Sequence, residues 1–68
     1  MDYELLNKVI DESGLKRTFI AANLGISPKV FHDRTVGVTQ WKSGEISDFC
    51  RLMKLKKKQR DAIFFPSC

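Results

Sequence analysis

Arg17-Thr18-Phe19-Ile20-Ala21-Ala22-Asn23-Leu24-Gly25-Ile26-Ser27-Pro28-Lys29-Val30-Phe31-His32 is the stretch whose reading decides the fold. Phe19, Ile20, Ala21 and Leu24 fall at helical spacing and predict a helix over 17–24, and Gly25 follows as a residue free to take positive φ. Ser27-Pro28 then reads as a hydroxyl N-cap followed by proline at the first helical position, where its missing N–H costs nothing. A new helix must start there. Two helices crossing steeply over a short turn need a small residue where they touch, a turn residue tolerant of positive φ, and apolar residues on both sides. Ala21, Gly25, and Ile20, Ile26 and Phe31 supply these.

Outward from this pair, Asp2 can cap a first helix over about 2–13, with Leu5, Leu6, Val9 and Ile10 in one apolar stripe and Gly14 placed to end it. The helix opened by Pro28 runs through Lys29 to Arg34 and should stop before Gly37, because Thr35-Val36-Gly37-Val38-Thr39 is β-branched and contains glycine. A loop is expected over 38–42. Ser43 then offers a cap for a helix over about 44–54 with Ile46, Phe49, Cys50 and Met53 on its apolar face. Lys56-Lys57-Lys58 leads into Gln59 to Phe65, a last short helix stopped by Pro66. Only Thr35 to Thr39 approaches the strand template, so the expected fold class is all-α, five helices in one compact domain over 1–68.

Sixty-eight residues suffice for one core, and 43% hydrophobic against 29% charged residues is an ordinary globular composition. A net charge of +4 and a pI near 9.3 favour a polyanionic partner, nucleic acid ahead of an anionic membrane surface. No apolar run approaches the roughly 20 residues that span a bilayer. Met1-Asp2-Tyr3 lacks the basic start and apolar stretch of a signal peptide, so a cytoplasmic location is expected. Cys50 and Cys68 have neither C-x-x-C spacing nor clustered histidines, which leaves a metal site without ligands; Cys50 reads as core and Cys68 as a free terminal thiol. Catalysis lacks its parts: a single histidine, no paired carboxylates in a glycine-framed pocket, no phosphate-binding glycine loop. Neither a cofactor nor a small-molecule substrate is expected.

The small Ala21, the glycine four residues later, and apolar Ile26 and Phe31 resemble the phage-repressor helix-turn-helix family, Cro-type and XRE-like. The resemblance covers nearly the whole chain, through the Gly37 turn, Trp41, Glu45-Ile46, Leu52-Met53-Lys54-Leu55 and the closing Asp61-x-Ile63-Phe64-Phe65. Members usually carry leucine late in the third helix where this chain has Thr35, and a polar residue where it has Val36. The family implies that the third helix enters the major groove, the second lies across its mouth, and the start of the second meets a phosphate. The implied function is sequence-specific binding of double-stranded DNA as a transcriptional regulator, a repressor of phage or bacterial type. The rival is a protein-interaction module on the same scaffold, such as an antitoxin or accessory subunit, since a fold does not fix a function.

Helix N-termini present unpaired N–H groups and a partial positive charge, so the starts of the second, third and fourth helices are natural phosphate seats. Arg17, Thr18, Ser27, Thr39, Gln40 and Lys42 lie near them, and Arg34 is expected to reach the DNA backbone. With Phe31 and part of Val30 turned inward, Pro28, Lys29, His32 and Asp33 remain to face bases. Lys29 suits guanine O6 or N7, His32 can donate or accept, and Asp33 can accept from cytosine N4 or repel phosphate. Lys29 and His32 can equally be plain solvated residues. Trp41 reads as a hydrophobic plug rather than a stacking platform, and the three consecutive lysines as a solvated helix start rather than a phosphate contact. A homodimer on DNA is expected, because one short helix reads few base pairs; of Phe64 and Phe65, one should pack inside and the other face a partner.

Overall fold

The structure is a computed structural model and describes residues 1–66. It contains five helices: α1 (Tyr3–Glu12), α2 (Arg17–Leu24), α3 (Pro28–Val36), α4 (Ser43–Met53) and α5 (Lys57–Phe64). No strand forms among the described residues, and Thr35 to Thr39 is helix and turn. The expected role of Cys68 lies outside the described residues.

Local signals account for most boundaries. The Asp2 carboxylate accepts the Leu5 N–H at 3.0 Å, and the Asp2 N–H donates to the Ile63 carbonyl at 2.8 Å, so one residue caps α1 and ties it to α5. Ser27 Oγ accepts the Val30 N–H at 3.2 Å and Pro28 occupies the first turn of α3. Gly25 and Gly37 close α2 and α3 in the left-handed region at φ 72° and 87°.

Two expectations need correction here. Ser43 is the first residue of α4 rather than its cap: Lys42 stands at the N-cap, and its N–H donates to Glu45 Oε1 at 3.0 Å. Glu45 lies three residues after Lys42 and only two after Ser43, and the reciprocal carboxylate contact needs the longer spacing. Phe19, read as part of the apolar face of α2, is 50% exposed; Ile20, Ala21 and Leu24 carry that face inward.

The β-branched end of α3 stays helical through Val36 because other elements serve its last carbonyls. Trp41 Nε1 donates to the Arg34 carbonyl at 3.0 Å and Asn7 Nδ2 to the Thr35 carbonyl at 3.1 Å, while the N–H groups of Val38 and Thr39 reach the Asp33 carbonyl. These contacts satisfy acceptors that a helix end leaves open. Thr35 itself is buried, its hydroxyl donating back to the His32 carbonyl at 2.8 Å.

One core joins Leu6, Ile10, Ile20, Ala21, Leu24, Phe31, Phe49, Ile63 and Phe64, with Cys50 packed at its edge. Trp41 is the half-buried plug expected of it: its ring meets Phe31, Phe49 and Phe64 edge-on with centroids 6.2, 5.3 and 5.1 Å away. Such edge-to-face pairs add to burial and fix the loop between α3 and α4 against both flanking helices and α5. No helix is long and apolar enough to cross a membrane among the described residues.

Candidate nucleic-acid interface

α2 and α3 pack against each other across the short connection Gly25-Ile26-Ser27, in which the Ile26 N–H closes onto the Ala21 carbonyl at 3.1 Å. Ala21 is fully buried in the core. With Phe31 and Thr35 inside, α3 presents Pro28, Lys29 and His32 to solvent and Asp33 half-buried. These are the residues expected to face bases, and the structure leaves Lys29 and His32 without a side-chain partner among the described residues. Thr18, Gln40 and Lys42 are likewise exposed near the starts of α2 and α4. Ser27 is exposed, with its oxygen engaged as the cap of α3.

Three of the residues expected at phosphates are committed elsewhere. The Arg34 guanidinium turns inward, 8% exposed, and donates from Nε to Glu45 Oε1 at 2.8 Å and from Nη2 to Glu45 Oε2 at 3.2 Å. The Thr39 hydroxyl accepts from Arg34 Nη1. Arg34 lies on the core side of α3, one turn after Phe31 along the same stripe, and Glu45 offers it a bidentate seat there. Arg17 folds back toward α1: Nη1 donates to Asn7 Oδ1 at 2.9 Å and Nη2 to Asp11 Oδ1 at 3.0 Å. That pair is well exposed, which makes it weak and open to exchange.

The Arg34 hydrogen bonds hold the Glu45 carboxyl below the usual carboxylate range against the opposing effect of burial, and the Lys42 N–H adds to the lowering. Glu45 in turn raises the pKa of Arg34, which stays charged at any pH the protein meets. Burial pushes the Cys50 thiol up, consistent with an inert core-edge cysteine.

Asn7 and Glu45 escaped the sequence reading. Glu45 had a signal in the three-residue spacing from Lys42. Asn7 had none: its amide joins the Tyr3 and Thr35 carbonyls and Arg17, and the Thr35 partner is 28 positions away. Val36 and Val38, 51% and 69% exposed, flank the Gly37 turn as apolar surface. No group of metal-ligating side chains assembles among the described residues. No family model matches the chain, and no curated protein or solved structure is significantly similar to it.

Proposed function

We propose that the chain is a sequence-specific double-stranded DNA-binding regulator in which α2 and α3 act as a helix-turn-helix. One observation carries this reading: α3 is capped at both ends, anchored through Phe31 and Thr35, and turns Pro28, Lys29 and His32 outward, with no side-chain partner for Lys29 or His32 among the described residues. A short rigid helix with such a face fits the major groove, where Lys29 can reach guanine O6 or N7 and His32 and Asp33 a neighbouring base edge. Thr18, Ser27, Gln40 and Lys42, near the starts of three helices, supply donors for phosphates. Arg17 joins them by exchanging the exposed Asp11 carboxylate for a phosphate. Arg34 and Thr39 act behind the interface, fixing the end of α3 to α4.

The bound form is a homodimer on a two-fold site. Phe64 is buried while Phe65 is 42% exposed and borders a shallow hollow with Ile46 and Arg60, an apolar surface suited to a second copy. Selection from random duplexes tests the whole reading: a symmetric site with two half-sites separated by about one helical turn is expected, and failure to enrich any sequence overturns it.

A specific observation favours the protein-interaction reading as runner-up: two of the arginines expected on DNA are engaged within the fold, and Phe19, Val36 and Val38 stand exposed around the α2–α3 face. Fluorescence anisotropy with generic duplex at low salt separates the two. Salt-sensitive binding supports DNA, and no binding supports a protein partner.

A further inference from the structure

Lys54, Lys56, Lys57 and Lys58 fall within five positions, broken only by the half-buried Leu55, and all four are exposed. None engages a carboxylate among the described residues: the neighbouring acids Asp48 and Asp61 are taken by Arg51 at 3.6 Å and Arg60 at 3.2 Å. The proposed DNA face, by contrast, has lost Arg34 to Glu45 and shares Arg17 with Asp11. Much of the excess positive charge that pointed to a polyanion therefore sits elsewhere. Its place is set by α4, whose first turn meets the end of α3 through Glu45 and whose 11 residues carry the chain about 16 Å onward, at about 1.5 Å per residue, to Lys54. That is about half of the molecule's longest extent of 29 Å, so the lysines stand well away from the α3–α4 junction.

The backbone adds to the charge. Lys54 holds a left-handed conformation at φ 56°, the only such non-glycine among the described residues, at a position where helices usually end on glycine. The start of α5 directs its free N–H groups and partial positive charge to the same surface as Lys56, Lys57 and Lys58.

We propose that this lysine cluster is a second polyanion-binding surface that holds the sugar-phosphate backbone of a duplex without reading its sequence, so that the protein bridges two DNA segments. The proposal rests on the reading of α3 as a DNA-binding helix. Strung along a turn and the start of α5 rather than set beside other polar groups on one groove-sized helix face, these flexible point charges suit phosphate contact rather than base recognition. Among the described residues no large exposed apolar side chain lies between 51 and 60, and peripheral attachment to an anionic bilayer relies on such anchors beside the cations.

The test uses the full chain, a duplex carrying the selected site labelled with a donor, and an unrelated duplex labelled with an acceptor. Wild type should bring the labels together at low salt and release them as salt rises. The triple variant Lys56→Gln, Lys57→Gln, Lys58→Gln, checked for folding by Trp41 fluorescence, should bind the selected duplex with less than about threefold loss yet give no energy transfer, while each single variant should still bridge with the salt dependence reduced by about 0.9. Absence of transfer with wild type, or transfer undiminished in the triple variant, overturns the proposal. Duplex binding lost in the triple variant but unaffected by Lys29→Ala also overturns it, and then the α3 reading fails with it. Capture of phosphatidylglycerol vesicles but not of the second duplex by wild type, lost in the triple variant, replaces the duplex by a membrane surface.

Discussion

Lys29 and Arg34 stand on one short helix and do opposite work, because one position faces solvent and the next turn faces the core. Lys29→Ala should leave the melting temperature unchanged and cost roughly 1–3 kcal/mol on the selected site, with discrimination relaxed at one base pair. Competition titration against single-base variants of the site checks this; an unchanged ranking and spacing sinks the assignment. Glu45→Ala should instead destabilise by roughly 3–5 kcal/mol, since it strands the buried Arg34 charge, whereas Arg34→Met with Glu45→Leu should recover most of the loss. The same pair sets an acid limb. The folded Glu45 carboxyl titrates below its unfolded value, so its contribution is complete above the unfolded value and disappears as pH falls through the folded one. Urea midpoints followed by Trp41 fluorescence should fall on acidification in wild type, and this part of the fall should be missing in Glu45→Gln.

At the scale of elements, the left-handed helix ends are not equivalent. A Cβ on Gly25 meets nothing within 4 Å, while one on Gly37 comes to 3.1–3.2 Å of the Tyr3 ring. Gly25→Ala should therefore cost only the backbone conformation, about 1 kcal/mol, and Gly37→Ala that amount plus the smaller cost of shifting the exposed Tyr3 ring by a few tenths of an ångström. In a Tyr3→Ala background the difference between the two should vanish; chemical denaturation of the four variants measures it. Lys54 presents the reverse case. Lys54→Gly should raise stability by about 1 kcal/mol, because the left-handed position is relieved without loss of a side-chain partner. At the α2–α3 crossing, Ala21→Leu should lower stability by roughly 1–3 kcal/mol and DNA affinity with it, as the helices are forced apart.

For the molecule as a whole, with a net charge of +4, salt dependence should reveal how many phosphates it meets. Binding of the selected duplex should weaken steeply with salt, with a log–log slope of about 0.9 per phosphate contact, and Arg17→Ala should lower that slope by about one while weakening all duplexes alike. If Arg17 remains with Asn7 and Asp11 on DNA, the slope stays as in wild type. Phe65→Ser should leave the fold intact, because Phe64 rather than Phe65 closes the core, and should weaken two-fold sites far more than isolated half-sites. Sedimentation of the protein–duplex complex distinguishes one bound copy from two.

The all-α class and the bounds of α2 were fixed by the chain's local chemistry, because caps, glycines and apolar spacing act over a few residues and leave their mark in order along the sequence. Asp2, Gly25, Ser27-Pro28 and Gly37 each mark an end without reference to anything distant. The outward face of α3 was legible for the same reason, since Phe31 fixes the helix phase and Lys29 and His32 follow from it. Which cations remain free was not legible. Arg34 meets a carboxylate 11 positions on, Arg17 an amide 10 positions back, and Thr35 is capped by an amide 28 positions away. Those pairings exist only once α1, α2, α3 and α4 have packed, so tertiary structure alone decided that Arg34 and Thr39 are held within the fold and Arg17 is tied to α1, while four lysines at the far end of α4 stand unpaired among the described residues.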